Sequence, residues 1–287
     1  MPGTFTLNHP PRPEAKARRV LVTGAAGRIG AYFAQNAPNR YDLRLMVRPG
    51  DDTAAIRGLG QIVEAELGDL EALKPVFEGM DTVLHLAGNP DPSATWKELL
   101  DANIVGTYHA MVAAKAAGCR RLIYASSIHA VSGYPRDVQV HEDDPVNPGD
   151  VYGVSKAFGE AMGRYMAEQE GLEVVAVRIA AFQAPEVAEG EGGVGLLDAF
   201  VSDRDLTQLF TRIIDDETVR FAIVHGVSEN RFKRLSIEQG RSLFGFAPGD
   251  DVAEMNPSLK EVGLPTMTHS GVADGQESGI REELESA

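Results

Sequence analysis

The sequence predicts an α/β protein built on a doubly wound parallel sheet, followed by a smaller C-terminal region. Two observations lead to this prediction. Short runs rich in Val, Ile and Leu recur between Arg19 and Ile179, and helical stretches separate them. Short, continuously apolar runs are typical of parallel strands that are buried on both faces. Repeated alternation of strand and helix then places helices on both sides of one sheet.

The predicted elements follow one another in a regular order. The strands are Arg19–Thr23, Asp42–Val47, Gln61–Glu66, Thr82–Ala87, Arg121–Ser126 and Glu173–Ile179. The helices are Arg28–Ala37, Leu70–Glu78, Trp96–Ala117 and Val151–Glu170. Gly118 and Gly171 follow the last two helices at positions where a glycine commonly ends a helix.

The alternation lapses after Ile179, which divides the chain into four predicted regions. Residues 1–18 contain four prolines and no apolar period, and we expect them to form a flexible arm. Residues 19–180 form the sheet domain, residues 181–247 a small cap that binds the substrate, and residues 248–287 a polar tail. The cap is predicted to contain a loop at Glu186–Gly195, a helix near Arg204–Ile214, a strand at Val219–His225 and a short helix near Ile237–Phe244.

Charge and cysteine content exclude several classes of protein. The 287 residues include 42 Asp and Glu against 27 Lys and Arg, a net charge of −15, so a basic surface for nucleic acid or for an anionic membrane is not expected. No apolar run reaches the roughly 18 residues of a membrane span, and no secretory signal precedes the first strand. The single cysteine, Cys119, excludes an internal disulfide and a cysteine-based zinc site. We therefore expect a cytoplasmic protein without a metal ion.

A glycine-rich loop follows the first predicted strand and opens the first helix. Gly24 permits a tight turn, Gly27 lets the backbone approach a pyrophosphate, and Gly30 lets the helix lie close to the strand. The phosphates would contact the first turn of the helix, at Arg28 and Ile29. Because a strand precedes this loop and a helix follows it, the loop predicts a Rossmann-type domain that binds a dinucleotide. The alternative is that these are only turn glycines.

The end of the second strand bears on the choice between NAD and NADP. A site selective for NAD usually places Asp or Glu there to bind the ribose hydroxyls. This chain has Val47 and then Arg48, whose guanidinium could contact the 2′-phosphate of NADP. NADP is therefore favoured over NAD; in the alternative, Asp51 or Asp52 reaches the ribose. Further cofactor contacts are expected where the third and fourth strands end, from Asp69, Leu70, Leu86, Ala87 and Gly88.

Tyr152 and Lys156 lie four residues apart on a predicted helix, so both project from one face. A phenol with a pKa of about 10 is a poor base near neutral pH. A neighbouring lysine charge and an oxidised nicotinamide both favour the phenolate. Such a tyrosine could exchange a proton with an alcohol or carbonyl while hydride passes to or from the cofactor. Without further support, the same pair would be an exposed helix start.

Three motifs in one order supply that support: the glycine loop, the serine pair Ser126-Ser127 at the end of the fifth strand, and the Tyr/Lys pair. Together they resemble the extended short-chain dehydrogenase/reductase superfamily, of the NAD-dependent epimerase/dehydratase type. The resemblance covers roughly residues 19–248. It implies that Tyr152 is the catalytic base, that Lys156 lowers its pKa and that both contact the cofactor. It also implies that Ser127 polarises the substrate oxygen and that Asn103 helps to organise the cofactor site.

Within that superfamily the chain looks most like the uronate dehydrogenases and related sugar dehydrogenases. The motifs that carry this likeness are His85–Gly88, Ser126–His129, Tyr152–Glu160 and Val177–Ile179. The likeness implies oxidation of the anomeric hydroxyl of a sugar to a lactone. The candidate substrate contacts are Asn89, Ser127, His129 and Ala181. His129 could bond a substrate hydroxyl, or it could be a structural histidine.

Three departures from the uronate dehydrogenase pattern bear on the substrate. Ile128 and Ala181 stand where polar residues are expected, and the Glu186–Gly195 segment contains no Arg to bind a sugar carboxylate. Because unpaired substrate hydroxyls cost affinity, a less polar carbonyl or alcohol becomes an alternative substrate. A basic cluster could hold a phosphate or form a solvated face; it comprises Arg231, Lys233 and Arg234.

The sequence thus predicts an NAD(P)-dependent oxidoreductase acting on a sugar-like or small carbonyl substrate. One alternative is a nucleotide-sugar epimerase or dehydratase, and another is a non-catalytic NADP(H)-binding sensor or scaffold. The resemblance further implies a homodimer in which two long helices pair across a two-fold axis. An apolar stripe on the Tyr152 helix fits such an interface; it consists of Val154, Phe158, Ala161, Met162, Tyr165 and Met166.

Overall fold

The computed structural model describes residues 17–256 and residue 259. The strands are β1 (Arg18–Thr23), β2 (Tyr41–Val47), β3 (Gln61–Glu64), β4 (Thr82–His85), β5 (Arg121–Ser127), β6 (Glu173–Ile179), β7 (Ala181–Phe182), β8 (Phe200–Val201) and β9 (Phe221–Gly226). The helices are α1 (Arg28–Asn36), α2 (Leu70–Phe77), α3 (Trp96–Leu99), α4 (Gly106–Ala116), α5 (Val151–Glu168), α6 (Pro185–Glu189), α7 (Asp203–Asp215), α8 (Glu238–Phe244) and α9 (Val252–Met255). In the described part of the chain, we find no helix with the length and apolar character needed to span a bilayer.

Seven strands form one sheet in the order β3-β2-β1-β4-β5-β6-β9, and every neighbouring pair is parallel. The direction of winding reverses between β1 and β4. In a sheet of this kind a crevice forms at that reversal, outside the carboxyl ends of the strands, and ligands bind there. The predicted doubly wound, Rossmann-type sheet is confirmed.

Two hydrophobic clusters cover the two faces of the sheet. Val20 and Val22 of β1 point into one cluster, which contains Phe33 of α1 and Phe210 of α7. Leu21 points to the opposite face, where Met111 of α4 belongs to the second cluster. Because both faces of each central strand are buried, the strands are continuously apolar in sequence, as the strand prediction required.

The predicted helix Trp96–Ala117 contains an irregular turn. The chain follows α3, then a π-helical turn at Leu100–Val105, then α4. Such turns are rare and occur frequently at functional sites, because the extra residue changes the direction in which nearby side chains point. Here the turn carries Asn103, whose contacts are described below.

The predicted arm ends earlier than residue 18. Arg18 belongs to β1, and its side chain is buried in ion pairs with Asp81 and Glu217. These partners are distant in sequence, so no local pattern indicated that Arg18 is part of the sheet domain. Residues 1–16 lie outside the described residues.

The predicted loop at Glu186–Gly195 is mostly helical. It consists of α6 and a 3₁₀ turn at Glu191–Leu196, and Pro185 occupies the start of α6. Proline is favoured at that position because its missing N–H has no partner within a helix. Next to these turns, β7 and β8 form a two-stranded parallel sheet.

The start of the predicted polar tail also departs from expectation. Residues 252–255 form α9, capped by the carboxylate of Asp251, and Val252 and Ala253 are buried. Leu259 is buried in the same small cluster, together with Ala188, Leu197 and Phe200 of the cap. The apolar residues near position 250 are too few for a period, but they fill a cluster built by residues far earlier in the chain. Residues 260–287 lie outside the described residues.

Candidate active site

A cavity of 1140 Å³ lies at the carboxyl ends of the strands, at the reversal between β1 and β4. This volume slightly exceeds the range of about 300–1,000 Å³ that is usual for small-molecule sites, and it leaves room for a ligand as large as a dinucleotide. Among the predicted residues, the wall contains Gly24, Gly27, Arg28, Ile29, Gly30, Arg48, Asp69, Leu86, Ala87, Gly88 and Asn89. The structure therefore brings together most of the predicted cofactor residues and one predicted substrate residue.

The glycine loop forms the floor of this cavity. Gly24 has a φ of 68°, and a Cβ at this position would lie 2.9 Å from the Cα of Ala87. A Cβ on Gly30 would lie 2.5 Å from the carbonyl oxygen of Gly24. Side chains at these two positions would therefore block the turn itself and the contact between helix and strand.

The start of α1 fits a phosphate group. Gly27 is the N-cap of the helix, no described side chain caps it, and the first turn contains no acidic residue. The first N–H groups of a helix need an external partner, and the helix dipole favours an anion at this end. The loop and the helix start thus fit the pyrophosphate of NAD(P), bound through backbone N–H groups.

Arg48 and Asp51 form an ion pair at the end of β2. The guanidinium lies 3.1 Å from the Asp51 carboxylate, which also accepts a hydrogen bond from the backbone N–H of Arg48. These contacts hold the pKa of Asp51 below its usual range, mainly through that backbone hydrogen bond. Both residues line the cavity, and three quarters of the Arg48 side chain is exposed (75%). Arg48, which would contact the 2′-phosphate of NADP, and Asp51, which would contact the ribose hydroxyls of NAD, therefore lie side by side in the cavity wall.

The two residues predicted after the third strand take different positions. Asp69 lines the cavity and caps α2 by accepting a hydrogen bond from the N–H of Ala72 at 3.0 Å. Leu70 is absent from the described wall and contacts the core cluster around Leu73 and Phe77. A leucine in the first turn of this helix points inward because the sheet face below it is apolar.

Asn103 lies behind the cavity wall and connects three segments. Its side-chain oxygen accepts a hydrogen bond from the N–H of Asn89 at 2.7 Å, and its amide donates to the Asn89 carbonyl and to the hydroxyl of Ser155. The Ser155 hydroxyl in turn donates to the carbonyl of Tyr152 at 2.7 Å. Asn103 therefore connects the loop after β4 to α5.

Tyr152 and Lys156 occupy the buried face of α5, next to the cavity. The Lys156 ammonium donates to the carbonyl of Ala125, a wall residue, at 3.0 Å and lies 5.4 Å from the centre of the Tyr152 ring. Burial lowers the pKa of Lys156 to about 8. Burial also raises the pKa of Tyr152 to about 12, and a hydrogen bond with Ser127 partly offsets this effect. The alternative of an exposed helix start is excluded, because both side chains are buried.

His129 contacts Tyr152 and forms a pair with Asp150. Its Nδ1 lies 2.6 Å from the Asp150 carboxylate, and its ring meets the Tyr152 ring edge-on at 5.3 Å. The other carboxylate oxygen of Asp150 accepts a hydrogen bond from the Gly153 N–H and caps α5. Sequence reasoning missed Asp150, although an aspartate just before a helix is a capping signal.

The remaining predicted substrate residues present little polar surface. Ser127 is buried, and Ala181 lies half-buried in β7, where its N–H donates to the carbonyl of Ala199. Ile128, which stands where a polar residue was expected, is also buried. The described wall of the dinucleotide cavity does not include Ser127, His129 or Ala181.

Several wall residues had no counterpart in the sequence prediction. They are Met46, Ala65, Glu66, Leu67, Gly68, Pro90, Glu98, Asp101, Ala102, Val105 and Ala125. Two signals could have indicated some of them. Residues 65–68 directly follow β3, as ligand-binding residues of such sheets do, and Glu98 and Asp101 are spaced to share one helix face.

A parallel sheet with a glycine-loop cavity at its reversal and a buried Tyr/Lys pair beside that cavity defines a dinucleotide-binding enzyme domain. A model of the NAD dependent epimerase/dehydratase family matches residues 20–212. The chain belongs to this family and is an enzyme of the extended short-chain type.

The chain is similar to two sugar dehydrogenases of Haloferax volcanii. It is 34% identical over 251 residues to an NAD-dependent glucose-6-phosphate dehydrogenase, a match that covers 82% of this chain and 94% of the relative. It is 32% identical over 254 residues to an L-arabinose 1-dehydrogenase (NAD(P)(+)), with 82% and 98% covered.

A solved structure extends the likeness to the uronate dehydrogenases. A variant of uronate dehydrogenase from Agrobacterium tumefaciens, in complex with NAD, superposes with a TM-score of 0.74 at 28% identity. The match covers 86% of this chain and 91% of that one. The family expected from the sequence motifs is thereby confirmed, and so is the likeness to the uronate dehydrogenases and related sugar dehydrogenases.

Proposed function

We propose that this enzyme oxidises the anomeric hydroxyl of an uncharged aldose to the lactone with NAD(P)⁺. The observation that carries the proposal is the buried Tyr152, which contacts Ser127 and Lys156 beside the dinucleotide cavity. A bound nicotinamide would accept the hydride from C1 of the sugar. The dehydrogenases to which the chain is similar support this direction of reaction.

In this proposal Tyr152 accepts the proton of the C1 hydroxyl, and Ser127 orients that hydroxyl. Lys156 supplies a positive charge that favours the phenolate of Tyr152. His129 binds a neighbouring sugar hydroxyl, with its tautomer set by Asp150. Asn89 contributes a polar contact at the cavity, and Ala181 a small apolar one.

The charge of the cap favours a neutral sugar. Residues 180–203 contain no Lys or Arg but include Glu186, Glu189 and Glu191. Of the basic residues that follow, Arg204 pairs with Asp250, Arg231 with Glu254 and Lys233 with Glu229. Arg234 is buried, and its guanidinium donates to the carbonyl oxygens of Ser132 and Tyr134. Residues 180–203 therefore offer no cation to a carboxylate or phosphate on the substrate, whereas recognition of such groups normally uses one.

Pairs of sugars that differ only in charge test this proposal. Initial rates of nicotinamide reduction should give a kcat/KM at least about tenfold higher for galactose than for galacturonate, and for glucose than for glucose 6-phosphate. Such a ratio corresponds to about 1.4 kcal/mol of differential transition-state binding. Equal or faster oxidation of the charged members would contradict the neutral-sugar proposal. Turnover of a nucleotide sugar without net nicotinamide reduction would favour the epimerase alternative.

We propose that NADP is preferred over NAD, because Arg48 presents a largely exposed guanidinium at the end of β2. The Arg48→Ala variant should bind NADP about tenfold more weakly, since a charge-assisted hydrogen bond contributes about 1.5–3 kcal/mol. NAD affinity should be unchanged or higher, because Asp51 becomes free to accept bonds from ribose hydroxyls. Affinities can be measured by fluorescence titration of Trp96, the only tryptophan.

The control for this variant is Arg57→Ala, which removes an exposed arginine outside the described cavity wall. It should leave both affinities unchanged. Tighter binding of NAD than of NADP by the unmodified protein would overturn the proposed preference.

We also propose a homodimer formed through α4 and α5. Three large side chains on these helices are about half exposed: Tyr108 (45%), Val154 (46%) and Tyr165 (48%). The predicted stripe is only partly available for contact, because Met166 faces the core. Sedimentation at micromolar concentration should give twice the chain mass, and a monomer would contradict the proposal.

The proposed location is the cytoplasm, where thiols stay reduced. Cys119 is buried, and burial raises the pKa of its thiol to about 11, which keeps it unreactive. The net charge of −15 supports a small-molecule substrate and no nucleic acid partner.

A further inference from the structure

The ammonium group of Lys156 lies against two aromatic rings. Its Nζ is 5.4 Å from the centre of the Tyr152 ring and 5.4 Å from the centre of the Tyr124 ring. Its hydrogen bond runs to the carbonyl of Ala125, and no carboxylate among the described residues forms an ion pair with it. A buried ammonium without an anionic partner depends on weaker groups, such as dipoles and ring faces, to keep its proton.

Tyr124 is held in one orientation by its neighbours. It lies on β5 and is almost completely buried. Gly159 of α5 leaves the space that the ring occupies, because a Cβ there would overlap the phenol end of Tyr124. The ring also stacks on His85 of β4, with centroids 6.2 Å apart and planes 25° apart.

His85 is itself fixed and neutral. Its Nδ1 lies 2.8 Å from the hydroxyl of Thr23, which also accepts a hydrogen bond from the N–H of Ala87. Burial, and secondarily the charge of Lys156, lowers the pKa of His85 to about 3. His85 therefore packs against the Tyr124 ring without adding a second positive charge near Lys156.

We propose that Tyr124 is a positioning residue for the Tyr/Lys pair, and that its ring face keeps the ammonium of Lys156 charged and directed toward Tyr152. The attraction between a cation and the negative face of an aromatic ring is strongest where water is excluded, as it is here. The catalytic consequence rests on the proposed function, because a charged Lys156 matters only if Tyr152 transfers a proton. The effect on Lys156 itself does not depend on that function.

The groups that face Lys156 come from three elements. They are His85 from β4, Tyr124 and the Ala125 carbonyl from β5, and Tyr152 from α5. The nearest carboxylate on α5 along the chain, Glu160, is engaged by Arg178 and Ser126. Replacing Tyr124 therefore changes the surroundings of Lys156 without adding or removing a formal charge, and it leaves the proposed acid–base group Tyr152 in place.

The test is a pH titration of Lys156 by NMR, with ¹³C at the ε-carbon of the seven lysines of the full chain. A Lys156→Arg variant assigns the signal. In Tyr124→Leu the midpoint of Lys156 should fall by about 0.5–1.5 pH units, the shift that corresponds to a buried cation–π contact. In Tyr124→Phe, which keeps the ring, the midpoint should stay within about 0.3 units of the original value.

A second series covers the case in which Tyr124→Leu does not fold. Phenylalanine with one, two or three ring fluorines at position 124 keeps the shape of the ring and weakens its negative face step by step. The Lys156 midpoint should fall with each fluorine. A midpoint that is unchanged across this series, or unchanged in a folded Tyr124→Leu, would overturn the proposal.

The activity profile provides the catalytic readout. In Tyr124→Leu the alkaline limb of kcat/KM should move to lower pH together with the NMR midpoint, and Tyr124→Phe should restore it. A shifted midpoint with an unmoved limb would overturn the positioning role. If the unmodified protein oxidises no aldose, the proposed function fails, while the NMR result still decides whether Tyr124 stabilises the charge.

Discussion

Replacing Tyr152 with phenylalanine is expected to lower kcat about 10²- to 10⁴-fold, the usual contribution of a positioned acid–base group. The variant removes only the hydroxyl, which contacts Ser127, and keeps the ring that packs against His129. Cofactor affinity should therefore stay within about twofold, because the glycine loop and α1 provide the pyrophosphate site. Steady-state oxidation of a neutral aldose measures kcat, and Trp96 fluorescence measures cofactor binding.

Tyr165→Phe is the matched control for this prediction. Tyr165 lies on the same helix, but it is half exposed and its hydroxyl donates to the carboxylate of Glu170. Its removal should leave kcat unchanged. A Tyr152→Phe variant with kcat within tenfold of the original would contradict the assignment of Tyr152 as the acid–base group.

The protonation of the Tyr/Lys pair explains why the two residues must act together. Burial raises the pKa of Tyr152 to about 12 and lowers that of Lys156 to about 8. Both shifts favour neutral side chains, whereas proton abstraction requires a phenolate. The sequence-based expectation of a lowered tyrosine pKa is thus not met by the protein groups alone. Above pH 8 the charge of Lys156 is progressively lost, so activity that depends on it should decline on the alkaline side.

Much of the site was predictable because its residues lie in short motifs next to strand ends. Gly24, Gly27 and Gly30 follow β1 directly. The reversal of strand order brings the residues that follow β1, β2 and β4 together around one cavity. In such a sheet, recognition of the strands is sufficient to locate the ligand. Tyr152 and Lys156 were recognisable because one helix turn brings them to the same face.

The features that sequence reasoning missed depend on contacts between distant segments. Leu259 is buried because the cap supplies Ala188 and Phe200, and Arg18 belongs to the sheet because Asp81 and Glu217 receive its charge. The support of Lys156 by Tyr124 joins residues 32 positions apart on a strand and a helix. Local periodicity contains no information on such pairs, since it records only which face of an element is apolar.

The buried pair Glu160–Arg178 provides the largest predicted effect on stability. Both side chains are almost inaccessible (3% and 1% exposed), and the carboxylate accepts hydrogen bonds from two guanidinium nitrogens of Arg178 at 2.9 and 3.0 Å. The same carboxylate accepts a bond from the Ser126 hydroxyl at 2.6 Å. Glu160→Ala leaves a buried guanidinium without compensation and should lower the free energy of unfolding by about 3–5 kcal/mol. Urea unfolding followed by circular dichroism measures this loss.

A second ion pair on α5 is exposed, and it serves as the control that distinguishes the effect of burial from the effect of charge. Arg164 and Glu168 lie 3.1 Å apart and are more than half exposed, so Glu168→Ala should cost only about 0.3–0.5 kcal/mol. The double variant Glu160→Met/Arg178→Met should recover most of the stability lost in Glu160→Ala, because it leaves no unpaired charge in the core. A loss below about 1 kcal/mol in Glu160→Ala would contradict the argument.

The same pair lies close to the site. Glu160 of α5 bonds Arg178 of β6 and Ser126 of β5, the residue before Ser127. The destabilised Glu160→Ala variant should therefore also lose activity at temperatures where the double variant retains it.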